Sequence, residues 1–347
     1  REVSTMDKWR AIPMTALAAA AALLAAAPSQ ADAVADFYRG KNVTIVVPVS
    51  AGGVYGTMAQ ILERHIAKYI PGSPSVIVQY MEGAGGIKAL NHIYNVAPQD
   101  GTQFVTPTTG IVATAVLEPA KVRYDVVKFN YLGGWGEAVA VMTVINTAPV
   151  KTLHEVLKTE VVLGAIGKGT SSYQIPAMLN DMLDTKFKII TGYQGGSPIR
   201  LAMEKGEVHG WCGVWLGWRA IAQDWIRDKK IVHLFQAASK RQSDLADVPL
   251  LTELAKTDEQ RAVFEFMSSL GLTGQTLVAP PNVPADRLAA VEKAYMATLN
   301  DPAFRQDAES RNYPIDPLTA AEVRSAVERI AATPPAVVER AKKAMGM

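Results

Sequence analysis

Short apolar runs rich in β-branched residues alternate with amphipathic stretches along most of the chain. The first run, Asn42–Pro48, is almost continuously apolar, which is typical of a strand buried on both faces of a parallel sheet. A helix follows from Thr57, because apolar residues recur there at helical spacing until Pro71 and Gly72 end it. The alternation predicts the α/β class, with parallel sheets covered by helices on both faces.

The same order of strand, glycine-rich turn and helix recurs along the chain. Further strands are predicted at Ser75–Gln79, Thr102–Thr106, Val161–Ile166, Lys188–Thr191 and Glu207–Trp211. Glycine turns follow three of them, at Gly83–Gly86, Gly167–Ser172 and Gly195–Ser197. We therefore expect two doubly wound halves with a cleft between them. In such sheets ligands bind at the carboxyl ends of the strands, where these glycine turns lie.

The last part of the chain predicts one strand, Thr276–Ala279, and then little except helix. The helices are predicted at Ala285–Leu299, Thr319–Ala331 and Pro335–Met345. Since these helices have no strands of their own to cover, we expect them to pack on the first half. The chain would then cross between the halves twice, near Gly133–Val141 and Leu270–Val278. The predicted division is signal peptide 1–33, lobe one 34–137, lobe two 138–274, and the return strand and C-terminal helices of lobe one 275–347.

The beginning of the chain has the pattern of a secretory signal peptide. Lys8 and Arg10 precede an uncharged stretch rich in Ala and Leu, which is followed by Ala31-Asp32-Ala33. Cleavage is expected after Ala33, with cleavage after Ala31 as the alternative, and the mature protein is expected in the periplasm. A transmembrane anchor is the competing interpretation, but the apolar stretch is short and contains Pro13.

Composition narrows the class of protein. Of the 347 residues, 49% are hydrophobic and 20% are charged, with a formal net charge of +2, which favours a folded chain of two domains. The sequence has no dense run of Lys and Arg, so we expect no nucleic-acid partner. Cys212 is the single cysteine, which excludes an internal disulfide and a multi-cysteine metal site. Its thiol is expected to be buried and inert rather than reactive.

Sequence motifs of enzymes are missing. No G-x-S-x-G nucleophile motif occurs, and the five histidines are scattered without the close pairing of a metal-binding helix. The phosphate loop of nucleotidases needs Ser or Thr directly after Gly-Lys, whereas Gly169 follows Lys168. The glycines Gly52, Gly53 and Gly56 also break the dinucleotide spacing. We therefore expect no catalysis, no cofactor and no bound metal.

The glycine turns themselves predict an anion site. A glycine turn that leads into a helix presents free backbone N–H groups at the positive end of the helix dipole. A carboxylate or phosphate would lie between Ser50–Thr57 and Gly83–Gly86 on one lobe and Gly167–Ser172 on the other. The alternative is that glycine only permits tight turns and close packing there.

Several motifs resemble the periplasmic solute receptors of tripartite tricarboxylate transporters, the Bug-type receptors. They are Phe37–Lys41, Pro48 with Gly52-Gly53, Gln79–Gly86, Asn91, Ala97–Gly101, Tyr193–Gly196, Gly206–Val208, Pro249–Glu253 and Ala279–Pro284. The resemblance implies a two-lobed, type II-like periplasmic-binding-protein fold (a Venus flytrap) with two doubly wound sheets and two hinge crossings. It also implies a monomer that captures a small di- or tricarboxylate or an aromatic acid and delivers it to a two-subunit membrane permease.

Two other functions remain open at this stage. A periplasmic ligand sensor for a membrane kinase would have the same fold. A hydrolase of a carboxylic acid or ester would need Ser50, Ser171 or His209.

The resemblance also implies which residues bind the ligand. The candidates on the two lobes are Ser50, Ala51, Gly52, Gly53, Tyr55, Gly56, Thr57, Gly85, Thr108, Gly167, Lys168, Gly169, Thr170, Ser171, Ser172, Gly195, Trp211 and Cys212. Lys168 would pair with a second carboxylate or remain solvated. Trp211 would either line the cleft or pack in the core, and an exposed Trp211 facing Tyr55 or Trp135 would favour an aromatic acid.

This sequence also departs from the family pattern. Gly56 and Gln60 replace the usual Asp and Arg of the first helix, Tyr173 replaces a His, and His209 replaces an Asp. The sequence therefore does not name the acid that is bound.

Overall fold

The structure, a computed structural model, describes residues 30–49, 51 and 54–347. The strands are β1 Asn42–Val47, β2 Ser75–Tyr80, β3 Gln103–Val105, β4 Asn130–Gly134, β5 Ala140–Ile145, β6 Val161–Ala165, β7 Phe187–Thr191, β8 Gly210–Val214, β9 Ile231–Ala237 and β10 Thr276–Ala279. The helices are α1 Gln30–Tyr38, α2 Val54–His65, α3 Ile87–Asn95, α4 Thr109–Leu117, α5 Leu153–Val156, α6 Ser171–Leu183, α7 Gly196–Glu204, α8 Trp215–Ile221, α9 Gln223–Arg227, α10 Asp258–Ser269, α11 Ala285–Asn300, α12 Pro302–Ser310, α13 Ala320–Ala331 and α14 Pro335–Ala344.

Two five-stranded sheets organise the chain, with the orders β2-β1-β3-β10-β4 and β7-β6-β8-β5-β9. We call the parts built on them lobe one and lobe two. The predicted α/β class with two sheets is confirmed, but the expectation of purely parallel sheets is wrong. In each sheet the fourth strand in the order runs antiparallel to both neighbours. These strands, β10 and β5, are the ones that arrive from the opposite sheet, and that route gives them the reversed direction.

The two connections between the sheets run side by side. The first leaves β4 after Gly134 and enters β5 at Ala140, and the second leads from α10 through the 3-10 turn Leu270–Thr273 into β10. The Trp135 N–H donates to the Gln275 carbonyl, and the Ala138 N–H donates to the Gly271 carbonyl, both at 2.9 Å. The two connectors therefore form one hydrogen-bonded junction between the lobes.

The C-terminal helices divide between the lobes. Helices α11 and α13 pack against β4, and α12 packs against α2, all in lobe one. Helix α14 packs instead against α6 and α10 of lobe two as well as α4 of lobe one. Its Arg340 pairs with Asp181 of α6 at 2.5 Å and with Glu259 of α10 at 3.2 Å. The expectation that all the terminal helices pack on the first half is therefore wrong for α14.

The signal peptide falls mostly outside the described residues, which begin at Gln30, and stays a prediction. Predicted cleavage after Ala33 would cut inside α1, whose remaining turns belong to the fold. Val34 and Tyr38 are buried there, and the Tyr38 hydroxyl donates to the Gly101 carbonyl at 2.9 Å. Among the helices of the described residues, none is both long and apolar enough to cross a membrane.

Candidate functional site

The first face of the cleft is built by the loop after β1 and the start of α2. Ser50, Gly52 and Gly53 of this loop lie outside the described residues, while Ala51 is exposed. The Ala51 carbonyl lies so close to the first turn of α2 that a β-carbon on Gly56 would be 2.2 Å from its oxygen. This contact gives the physical reason why glycine stands where the family pattern has Asp, since no side chain fits there.

Tyr55 lies at the start of α2, beside Thr109 at the start of α4. Burial raises the pKa of Tyr55 to about 12, partly opposed by the neighbouring backbone and hydroxyl of Thr109, so the phenol is neutral at physiological pH. Its ring meets that of Trp135 edge to face, with centroids 6.5 Å apart. The candidate Thr57 lies beside the buried Tyr313.

The second face of the cleft is the loop Gly167–Ser172 at the end of β6. The Thr170 hydroxyl donates to the Gly167 carbonyl at 2.8 Å and lies 2.7 Å from the Ser172 hydroxyl, which accepts from the Ile166 N–H at 3.1 Å. Because the Thr170 proton is used on Gly167, Ser172 donates to Thr170. Both hydroxyl protons are thus used within the loop, so Thr170 and Ser172 shape it rather than offer protons to a ligand.

The backbone of this loop remains free for an anion. Within the described residues, no backbone carbonyl accepts from the N–H groups of Lys168, Gly169 and Ser171, which precede or begin the 13-residue helix α6. Donors in this position, at the positive end of a helix, suit a carboxylate. The Lys168 side chain is exposed, with its Nζ 5.9 Å from the centre of the Tyr173 ring.

The two lobes meet around these loops. A β-carbon on Gly110, in the first turn of α4, would lie 2.9 Å from the Gly169 carbonyl oxygen of lobe two. On the other side of the cleft, a β-carbon on Gly217 of α8 would lie 4.0 Å from the Val54 side chain at the start of α2. The structure therefore has its lobes in contact, with the starts of α4 and α6 facing each other.

A cavity of about 30 Å³ lies between the starts of α4 and α6, and we call it the interlobe cavity. Its polar side chains are Thr109, Ser171 and Gln174. The rest of its wall is apolar and includes Ala113, Ala138, Ala140, Ile175 and Leu270. None of the described residues that line the cavity is charged. Sequence reasoning missed Gln174, although its position one helical turn after Ser171 puts both side chains on one face of α6.

Trp211 and Cys212 are core residues. Trp211 was predicted to end a strand. Strand β8 begins at Gly210, however, so Trp211 is its second residue. Its side chain is 6% exposed, stacks on Trp218 with centroids 5.1 Å apart, and fills the space where a β-carbon of Gly196 would be. Cys212 is fully buried, as the single-thiol argument predicts, and burial raises the pKa of its thiol strongly. Both side chains are packed inside lobe two in this structure.

The remaining candidates have structural reasons for their residue types. Gly86, next to the candidate Gly85, has φ +106° and packs so closely on Ile111 and Pro48 that a β-carbon would lie 2.9 Å from Ile111. Gly195 precedes α7 with φ +152° and has open space around it. Thr108 precedes α4, and its side chain makes no capping hydrogen bond.

His209 does not support a hydrolase. It directly precedes β8, and its Nδ1 accepts from the Val162 N–H at 3.0 Å. Strand β8 runs parallel to β6, so this histidine lies toward the end of the sheet opposite the loop Gly167–Ser172. The Nδ1 atom of His209 is therefore occupied by a structural hydrogen bond. Among the described residues, no group of three His, Cys, Asp or Glu side chains is arranged to hold a metal ion.

Comparison with known proteins identifies the family. The sequence profile of the tripartite tricarboxylate transporter family receptor, TctC, matches residues 59–345. The chain belongs to this family. TctC receptors are periplasmic solute-binding proteins and not enzymes, which agrees with the resemblance seen in the sequence.

Relatives and solved structures extend the match. A UPF0065 protein from the TAR-I ttuE-ttuC' intergenic region of Agrobacterium vitis is 25% identical over 276 residues, which cover 77% of this chain and 74% of that protein. A TctC solute-binding protein from Polaromonas has the same fold, with a TM-score of 0.66 at 17% identity, covering 88% of this chain and 99% of that one. MatC from Rhodopseudomonas palustris, solved with bound malate, has a TM-score of 0.62 at 23% identity, covering 86% and 99%.

Proposed function

We propose that this TctC receptor captures a small organic carboxylate between its lobes and delivers it to a two-subunit membrane permease. The observation that carries the proposal is the convergence of two helix starts, α4 from lobe one and α6 from lobe two, on one cavity without charged side chains. Backbone N–H groups and helix dipoles hold an anion in such a place without a cationic side chain.

Hydrogen bonds from the two lobes are sufficient to explain micromolar affinity for a small carboxylate. Micromolar binding needs about −8 kcal/mol, and a hydrogen bond to a charged group contributes roughly 1.5 to 3 kcal/mol. Four or five such bonds, shared between the lobes, offset an association cost of at least about 4 kcal/mol. Because only the closed form makes both sets of bonds, the ligand shifts the equilibrium toward closure by the difference between the two states.

Other parts of the proposal follow from the sequence and from the relatives. The malate bound to MatC supports a carboxylate as the ligand. We take lobe one as residues 34–137 and 275–347 and lobe two as 138–274, with α14 at the C-terminus packing on both lobes. We also propose that the protein is a monomer in the periplasm after removal of a signal peptide that ends near Ala33.

The test is binding of a panel of carboxylates to the purified mature protein, measured by thermal shift and calorimetry. We expect a subset of small acids to raise the melting temperature and to give saturable heats. A panel without thermal shift or heat at millimolar ligand would refute the proposal. Small-angle scattering with and without a bound acid then measures closure, which we expect to reduce the radius of gyration.

A further inference from the structure

We infer that Gln174 determines which acids bind, by holding an uncharged oxygen group of the ligand at the inner end of the cleft. The inference rests on the proposed function and deepens it, because it names a substrate class. That class is the small 2-hydroxy or 2-oxo acids, with the carboxylate at the helix starts and the hydroxyl or carbonyl toward Gln174.

Gln174 is a buried amide that opens into the interlobe cavity. Its residue is 4% exposed, and its side chain lines that cavity. The neighbouring hydroxyls of Thr170 and Ser172 are paired with each other, whereas the Gln174 amide is open to the cavity rather than sealed in the core. A polar group of a ligand or a water can therefore pair with this amide inside the cavity.

The residues that line the interlobe cavity indicate which chemical group of a ligand can enter it. A second carboxylate would enter a space without a charged partner among the described residues, and burying an unpaired charge is strongly unfavourable. An amide can donate to a carbonyl and can both donate to and accept from a hydroxyl. The cavity is about 30 Å³, whereas one water needs roughly 10 to 15 Å³, so there is room for about two water-sized groups. The group that enters is therefore small and uncharged.

The spacing along α6 sets the distance between the two ends of the ligand. Ser171 begins the helix, where the anion site lies, and Gln174 follows one turn later, about 5 Å along the axis. A hydroxyl or carbonyl on the carbon next to the carboxylate can reach this amide while the carboxylate stays at the helix start. The apolar side chains of Ala113 and Ile175 then contact the short carbon chain.

The experiment compares pairs of acids that differ by one oxygen group. Glycolate is compared with acetate, lactate and pyruvate with propionate, and malate with succinate, by calorimetry on the wild-type protein and on Gln174→Leu. Gln223→Leu is the control, because it removes an exposed amide from the start of α9, outside the cavity. A third variant, Gln174→Glu, keeps the shape of the side chain and adds a negative charge.

We expect wild type and Gln223→Leu to prefer the hydroxy or oxo acid of at least one pair by about tenfold, the effect of one hydrogen bond. In Gln174→Leu the preference falls to within twofold, and Gln174→Glu binds all of the acids at least tenfold more weakly. The inference is overturned if Gln174→Leu keeps the wild-type preference, as it would if the amide only held a water. It is also overturned if wild type shows no preference in any pair. If no acid binds wild type at all, the proposed function itself fails.

Discussion

A β-carbon on Gly110 would lie 2.9 Å from the carbonyl oxygen of Gly169, although these two residues belong to opposite lobes. Contacts closer than about 3 Å force one of the partners to move, and here the partner is a backbone carbonyl on the loop that faces the anion site. The lobes can therefore approach this closely only if residue 110 is glycine. Within lobe one, nothing lies close enough to a β-carbon at this position to require glycine.

Gly110→Ala should weaken ligand binding without destabilising the unliganded protein. Alanine in a helix is favoured over glycine by up to about 1 kcal/mol, so the free energy of unfolding stays the same or increases. The added methyl group obstructs closure, and we expect the dissociation constant to rise about tenfold. Calorimetry gives the affinity and urea denaturation gives the stability.

The matched control is Gly217→Ala in α8, where an added β-carbon would lie no closer than 4.0 Å to any neighbour. This variant should bind with nearly the wild-type affinity. If both variants bind equally well, steric contact at Gly110 does not limit closure.

Gly56→Ala should destabilise the protein. A β-carbon there would lie 2.2 Å from the Ala51 carbonyl oxygen, and because this is a backbone atom, the main chain itself would have to shift. Overpacking of this kind typically costs about 1 to 3 kcal/mol. Urea denaturation of Gly56→Ala and of Gly167→Ala, whose β-carbon would have open space, compares a crowded with an open glycine. Equal stabilities would contradict the close contact between Gly56 and Ala51.

His233 should make the stability fall in mild acid. Burial lowers the pKa of His233 to about 4, partly opposed by Asp244, and its Nδ1 lies 2.9 Å from the Thr143 hydroxyl. In the unfolded chain the pKa is about 6.5, so the unfolded state takes up a proton first as the pH falls. The stabilisation is complete above pH 6.5 and is lost between pH 6.5 and 4, to an extent of about 1 to 3 kcal/mol.

The measurement is the free energy of unfolding against pH for wild type and His233→Gln. The variant should show a smaller slope between pH 6.5 and 4. Identical slopes in wild type and His233→Gln would show that another group causes the acid dependence.

The sequence predicted those strands whose limits are set by residues within or next to the strand itself. Strands β1, β2 and β10 lie within one residue of the predicted positions, because each is a short apolar run bounded by turn residues. Strand β8 was predicted at Glu207–Trp211, but its register is set by pairing with β5, where Met142 faces Cys212, and no pattern inside the segment contains that contact. Strands β4, β5 and β9 were not predicted for the same kind of reason.

The candidate site divides in a similar way. The proposed anion site at Gly167–Ser172 rests on glycines that precede a helix, a pattern that could be read from the spacing alone. The role of Gln174 depends on α4 approaching from the other lobe, which is a contact between residues more than 60 positions apart. The sequence left open whether Trp211 lines the cleft or packs in the core. The answer depends on Gly196 of α7, which leaves room for the indole, and this contact between separate elements exists only in the folded protein.

Gly196 and Trp211 provide a test of whether the glycine turn Gly195–Ser197 serves packing. A β-carbon on Gly196 would lie 2.5 Å from the Trp211 ring, so Gly196→Ala should lower the free energy of unfolding by about 1 to 3 kcal/mol. Trp211→Leu removes the obstructing ring and by itself leaves a cavity, at a cost of several kcal/mol. In the double variant the two losses should not add, because the methyl group added at position 196 enters the space left by the indole. Urea denaturation of the four proteins gives the coupling energy, which we expect to be at least about 1 kcal/mol. Additive losses would contradict the direct contact between Gly196 and Trp211.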